Sequence, residues 1–142
     1  MSPRNTRTGK VLEQMIRPAL EQGGYEFRKQ VKIGNRLGGV RRHFIDWLVE
    51  EKNGNVVLIS AKWQQSSGTA EQKVPFEIMC LADAVSKSNG RFRKAYLVLG
   101  GDGWTLREFY LGEGLNQYLI NRDSVHVMTL EAFVAKANQG KL

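Results

Sequence analysis

Two charged residues stand where apolar ones are expected. Asp46 interrupts the apolar stretch His43–Glu50, and Lys62 closes the run Val56-Val57-Leu58-Ile59-Ser60-Ala61. Withdrawing a lone charge from water is unfavourable by several kcal/mol unless it is paired or binds a metal. One resolution is a simple ion pair across neighbouring strands. The other is metal-assisted phosphodiester hydrolysis. There, carboxylates and backbone carbonyls hold Mg²⁺, the cation polarises the phosphate and acidifies a water, and the ammonium positions that water or steadies developing charge. Such chemistry needs no covalent intermediate. A nucleophilic route has little to draw on: Cys80 has no evident activating partner, and the only histidines, His43 and His126, read as core or surface residues.

Whether Asp46 and Lys62 can meet depends on the hairpin between them. Residues opposed across an antiparallel pair point to the same face, so the loop decides which partners share it. If Lys52-Asn53-Gly54 form a three-residue loop with Gly54 left-handed, Glu51 pairs with Asn55 and Asp46 faces Ser60. Lys62 then lies diagonally on the same face. A two-residue Asn53-Gly54 turn sets Asp46 beside Ala61 and sends Lys62 to the other side. The site requires the longer loop.

The elements that must carry these residues follow from periodicity. Leu12, Met15, Ile16, Ala19 and Leu20 form a helical stripe ended by Gly23-Gly24, with Pro18 predicted to kink or loosen it. Tyr25–Ile33 alternates as a strand, and Gly34–Gly39 supplies a turn. Arg41-Arg42 lead into a second strand, His43–Glu50, with Phe44, Asp46 and Leu48 on one face and Ile45, Trp47 and Val49 on the other. Val56–Lys62 is the third strand. Thr69 and Gln72 have capping-box spacing before a helix from about Pro75 to Ser88, whose inward stripe is Ile78, Leu81, Ala82 and Val85. Lys94–Leu99 reads as a buried strand closed by Gly100–Gly103, Thr105–Leu119 as a helix weakened by Gly112 and Gly114, Val125–Met128 as a short strand and Leu130–Asn138 as a last helix. Trp47, Trp63 and Trp104 fit the core better than a base-stacking role, and the Gly100–Gly103 loop fits a plain turn better than a phosphate cradle.

A chain of 142 residues fits a single domain spanning 1–142 with its own core. Its formal charge of +7 and pI near 9.8 favour a polyanionic partner. Basic residues gather at Arg4, Arg7 and Lys10, at Arg28, Lys29 and Lys32, at Arg36, Arg41 and Arg42, and at Arg91, Arg93 and Lys94; each cluster alone reads equally as solvated surface. A single cysteine leaves no intrachain disulfide or Cys-based zinc site, which fits a reducing, cytoplasmic setting. No apolar run approaches the roughly 20 residues of a membrane span, and Met1–Lys10 lacks a signal-peptide core.

From about Thr8 to Ser88 the order helix, three strands, helix, with Asp46 in Ile45-Asp46-Trp47 and Lys62 in Ser60-Ala61-Lys62, resembles the PD-(D/E)xK nuclease superfamily. The resemblance implies a restriction-endonuclease-like α/β core, a central mixed sheet flanked by helices in the order α-β-β-β-α-β-α-β-α. Glu13 matches the acid that many members carry on the first helix as a further metal ligand. Ile45 replaces the usual proline, and Ser60 stands where a metal-binding Glu or Asp is expected. Some restriction enzymes of the superfamily with such a serine draw a glutamate from the following helix, which makes Glu71 and Glu77 candidates and Gln64 a neutral oxygen donor. Glu71 is preferred, because Gly68–Lys73 follows the lysine strand directly; its alternative is a first-turn acid favouring the helix dipole, and that of Glu77 an exposed polar position. Arg36, Arg41 and Arg42 are expected to contact DNA, and Lys73 and Gln72 to reach phosphate. The implied activity is a DNA endonuclease using Mg²⁺ or Mn²⁺ and leaving a 5′-phosphate, of restriction, homing or mobile-element type. Alternatives are Holliday-junction resolution, a nucleic-acid-binding module whose site has decayed at Ser60, and a basic structural protein of a DNA complex. One site per chain implies a homodimer or larger symmetric homo-oligomer for double-strand cleavage.

Overall fold

In the computed structural model, which describes residues 6–142 with side chains from Gly9 onward, the elements are α1 (Thr6–Gln22), β1 (Glu26–Asn35), β2 (Arg42–Glu50), β3 (Val56–Trp63), α2 (Val74–Ser86), β4 (Phe92–Gly100), α3 (Arg107–Leu111), β5 (Val125–Thr129) and α4 (Leu130–Asn138). Short 3-10 turns occupy Thr69–Lys73 and Gly114–Gln117. Arg4 and the side chain of Arg7, from the first basic cluster, lie outside the described residues. The five strands form one sheet in chain order, antiparallel from β1 to β3 and parallel from β3 to β5. This is the mixed sheet flanked by helices, in the expected order.

Helix α2 covers one face of the sheet, packing with Leu48, Leu58 and Leu97, while α1 and α4 cover the other with Trp47, Val49, Val57, Ile59, Tyr96 and Val98. Strands β3 and β4 are therefore apolar almost throughout, as strands buried on both faces must be. Each fully buried aliphatic side chain stabilises the assembly by about 1.5–3 kcal/mol, so packing, not helix propensity, holds the short helices.

Four local expectations need correction. Helix α1 continues unbroken through Pro18, which lies on the exposed side while Ile16, Ala19 and Leu20 are buried, so the missing amide leaves the packed stripe intact. Thr69 and Gln72 form no capping box: the segment is a 3-10 turn, and α2 starts without a side-chain cap. The helix expected over Thr105–Leu119 is divided because Gly112 turns extended and ends α3. Finally, strict alternation in β2 fails around Asp46. Ile45 packs with Leu48 against α2, whereas Trp47 and Val49 face α1 and α4. Opposite this change of face, Gln30 of β1 has a left-handed backbone at φ 52°.

The β2–β3 hairpin adopts the three-residue loop. Gly54 is left-handed at φ 89°, the Glu51 amide donates to the Asn55 carbonyl at 2.8 Å, and the Gly54 amide donates to the Glu51 carbonyl at 2.9 Å. Trp47 stands opposite Ile59 and Leu48 opposite Leu58, a register that brings Asp46 level with Ser60.

Candidate active site

Strand pairing between β2 and β3 ends at Trp47 and Ile59, and Asp46 occupies the point where the strands part. Its carboxylate takes over from the ladder: Oδ2 accepts the Ala61 backbone N–H at 2.9 Å, and Oδ1 accepts the Gln30 amide at 3.1 Å. Burial raises the pKa of Asp46 above its ordinary value. The Ala61 N–H and the Lys62 cation oppose that rise, while Glu77 reinforces it through like charge.

Glu77 supplies the second carboxylate. It falls on the buried stripe of α2 with Val74, Ile78 and Leu81, and is 5 % exposed. One oxygen, Oε2, accepts the Ser60 hydroxyl at 3.0 Å; the other, Oε1, accepts from Arg36 at 3.0 Å and lies 3.8 Å from Lys62 Nζ. Burial acts to raise its pKa, but the Lys62 and Arg36 cations and the Ser60 hydroxyl outweigh it, and the carboxyl is held below its ordinary value. An acid from the following helix thus sits at the serine that replaces the motif carboxylate.

The other candidates are engaged elsewhere. Glu71 is buried, with its oxygens accepting the Thr105 hydroxyl and the Leu106 N–H, each at 2.6 Å. The Thr105 hydroxyl is the main cause of its lowered pKa. Gln64 is buried, and its amide donates to the Gly103 carbonyl at 2.7 Å. These two residues clamp the exit of β3 to that of β4, which explains the glycine loop. A Cβ at Gly101 meets the Gln64 carbonyl oxygen at 2.4 Å, and one at Gly103 meets the Ser66 nitrogen at 2.5 Å. Glu13 is paired with Lys29 and with Arg17, and the Lys29 hydrogen bond lowers its pKa. Lys73, Arg41 and Arg42 are exposed, with the Arg42 guanidinium over the Phe44 ring, whereas Arg36 is directed inward to Glu77.

Among the described residues, no group of three or more His, Cys, Asp or Glu side chains gathers in one place. The carboxylates near Ser60 are Glu77, bonded to its hydroxyl, and Asp46, level with it in the strand register. That set fits Mg²⁺, which is commonly held by one or two carboxylates and keeps several waters. Burial is the main reason that Asp46 resists ionisation, with like charge from Glu77 adding a little, and a cation beside the two carboxylates would offset both.

Sequence reasoning passed over Gln30, whereas His43, read as a core or surface residue, belongs to the core. His43 is 1 % exposed with neither ring nitrogen hydrogen-bonded, and burial followed by the nearby Arg36 charge lowers its pKa. Trp47 and Trp104 are buried, and Cys80 is a buried free thiol.

The sequence matches the model of the PD-(D/E)XK nuclease superfamily domain over residues 4–141, and the chain belongs to that superfamily. No curated protein matches it. Among solved structures, a protein of unknown function, AF1548, aligns with a TM-score of 0.50 and 13 % identity, covering 84 % of this chain and 58 % of the other. A repair endonuclease from Pyrococcus abyssi aligns with a TM-score of 0.44 and 14 % identity, covering 89 % and 46 %. The chain thus spans about half the length of these structural neighbours. No helix among the described residues is long and apolar enough to cross a membrane.

Proposed function

We propose that the chain, as one nuclease domain spanning residues 1–142, is a metal-dependent DNA endonuclease of restriction, homing or mobile-element type, acting in the reducing cytoplasm. The observation that carries this reading is the delivery of Glu77 to Ser60, beside Lys62 and level with Asp46. Ser60 alone argues for a decayed site; Ser60 joined to a helix-borne carboxylate argues for an intact one.

Asp46 and Glu77, with the Ala61 carbonyl between the motif positions, are the residues to hold Mg²⁺ or Mn²⁺. When bound, the cation polarises the scissile phosphate and lowers the pKa of a water. Lys62, 29 % exposed at the mouth of the site, orients that water and balances charge developing on the phosphoryl oxygens. The water oxygen bonds to phosphorus as it releases a proton to solvent, the bond from phosphorus to the 3′-oxygen breaks, and that oxygen takes up a proton from solvent, leaving a 5′-phosphate and a 3′-hydroxyl. Arg41, Arg42 and Lys73, all exposed, are the residues assigned here to the phosphate backbone, each as a position-fixing contact that carries no sequence information. A single site cuts one strand, so double-strand cleavage calls for a symmetric homo-oligomer.

The test uses supercoiled plasmid and a four-way junction, with Mg²⁺ or EDTA, and compares wild type with Asp46→Ala and Lys62→Ala. Mg²⁺-dependent cutting lost in both variants is expected. Tight binding without cutting by wild type would overturn the enzymatic reading in favour of a binding module, and strong preference for the junction would select a resolvase.

A further inference from the structure

Among the described residues three non-glycine positions have positive φ: Gln30, Asn89 and Asn121. The two asparagines lie outside helices and strands, where their short amide side chains tolerate this conformation. Gln30 lies in the middle of β1, where nothing in the strand itself calls for it. The pairing on either side keeps one register, with Lys29 opposite Trp47 and Val31 opposite Ile45, so no residue has been inserted. Gln30 has instead rotated in place. The rotation turns its amide onto Oδ1 of Asp46 at 3.1 Å, while the Ala61 N–H holds Oδ2 at 2.9 Å.

The consequence is a carboxylate fixed through both oxygens by neutral donors. Each oxygen retains a further lone pair for a cation. Backbone strain maintained at such a point is a mark of a functional constraint, because the packing around it must sustain an unfavourable conformation.

Resting on the reading of Asp46 as a metal ligand, we propose that Gln30 is a positioning residue that fixes the Asp46 carboxylate for the catalytic cation through its left-handed backbone and side-chain amide. Outer partners of this kind commonly change metal affinity by about 10–100-fold. The full chain is titrated with Mn²⁺ by calorimetry as wild type, Gln30→Ala and Gln30→Gly, and the melting temperature of each is recorded without metal. Both variants lack the amide, but glycine adopts the left-handed conformation freely. Positioning therefore predicts that both bind Mn²⁺ about 10–100-fold more weakly, and that Gln30→Gly melts no lower than wild type. Wild-type affinity in Gln30→Gly would show that only the strand's path matters, and would overturn the proposal while leaving the active-site reading intact. Absence of Mn²⁺ binding by wild type would instead overturn that reading, and this proposal with it.

Discussion

Asp46 and Glu77 influence each other electrostatically, yet their acidities are displaced in opposite directions. Burial acts on both; the difference lies in their partners. Glu77 has Lys62, Arg36 and the Ser60 hydroxyl, whereas Asp46 has two neutral N–H donors and the weaker reach of Lys62. A carboxyl whose folded pKa is raised stabilises the fold fully below its unfolded value near 3.8, and that stability is lost as pH rises through the raised value. The metal-free protein at neutral pH is therefore expected to gain stability on Asp46→Asn, measured by thermal melting, and Mg²⁺ to stabilise wild type but not the variant. Cleavage by Asp46→Asn or Glu77→Gln should fall by more than the 10–100-fold typical of outer-partner changes, measured as plasmid nicking rate. His43 has the opposite sign. Its pKa is lowered, so its contribution is present above the unfolded value near 6.5 and lost as pH falls below it. Replacing it by Phe should flatten the stability profile below pH 6.5, read by urea unfolding as the pH is lowered. Glu77 was legible in the sequence as a candidate acid on the helix after Lys62, but Glu71 was preferred for its closeness to the lysine strand and the burial of Glu77 beside Val74, Ile78 and Leu81 was not foreseen. Nothing in the sequence marks a glutamine that will take positive φ, so Gln30 was hidden.

At the scale of elements, a loop sets the register of the motif strands and a clamp ties the end of β3 to that of β4. The Asn53-Gly54 signal fits two hairpins, and only the three-residue loop brings Asp46 level with Ser60. The clamp joins the ends of β3 and β4 through Gln64, Glu71 and the close approach of Gly101 and Gly103. Gly101 combines φ 89° with a predicted Cβ contact of 2.4 Å to backbone, which cannot be relieved by a rotamer change. Gly101→Ala is expected to destabilise the fold by about 1–3 kcal/mol. The measurement is a shift in urea midpoint at unchanged slope. Strand and helix order was readable because hydrophobic period is a local property. Long-range contacts were not: the role of Glu71 is set by Thr105 and Leu106, more than thirty positions away, and the glycine loop acquires its purpose only from the backbone it touches. The Thr129 cap on α4, which accepts the Ala132 N–H at 3.1 Å, was present as a Thr before an apolar run and was overlooked.

At the scale of the molecule, the charge of +7 favours a polyanionic partner, which on the proposed reading is DNA. Binding by a cleavage-deficient Asp46→Asn chain should weaken with salt, the log–log slope falling by about one for each phosphate-contacting cation removed. Arg41→Ala and Arg42→Ala are expected to show this in fluorescence anisotropy. Arg36→Ala should act differently, loosening Glu77 more than reducing the slope, since its guanidinium is turned to that carboxylate. Superfamily membership was legible from one motif and the order of five elements, whereas substrate geometry and assembly depend on surfaces that no local pattern describes. The central claim is that a carboxylate from α2 restores a metal site at Ser60. A crystal soaked in Mn²⁺ and measured for anomalous scattering tests it most directly. The account predicts one peak ligated by both Asp46 and Glu77; a peak bound through Glu71 or Glu13 without Glu77 would contradict it.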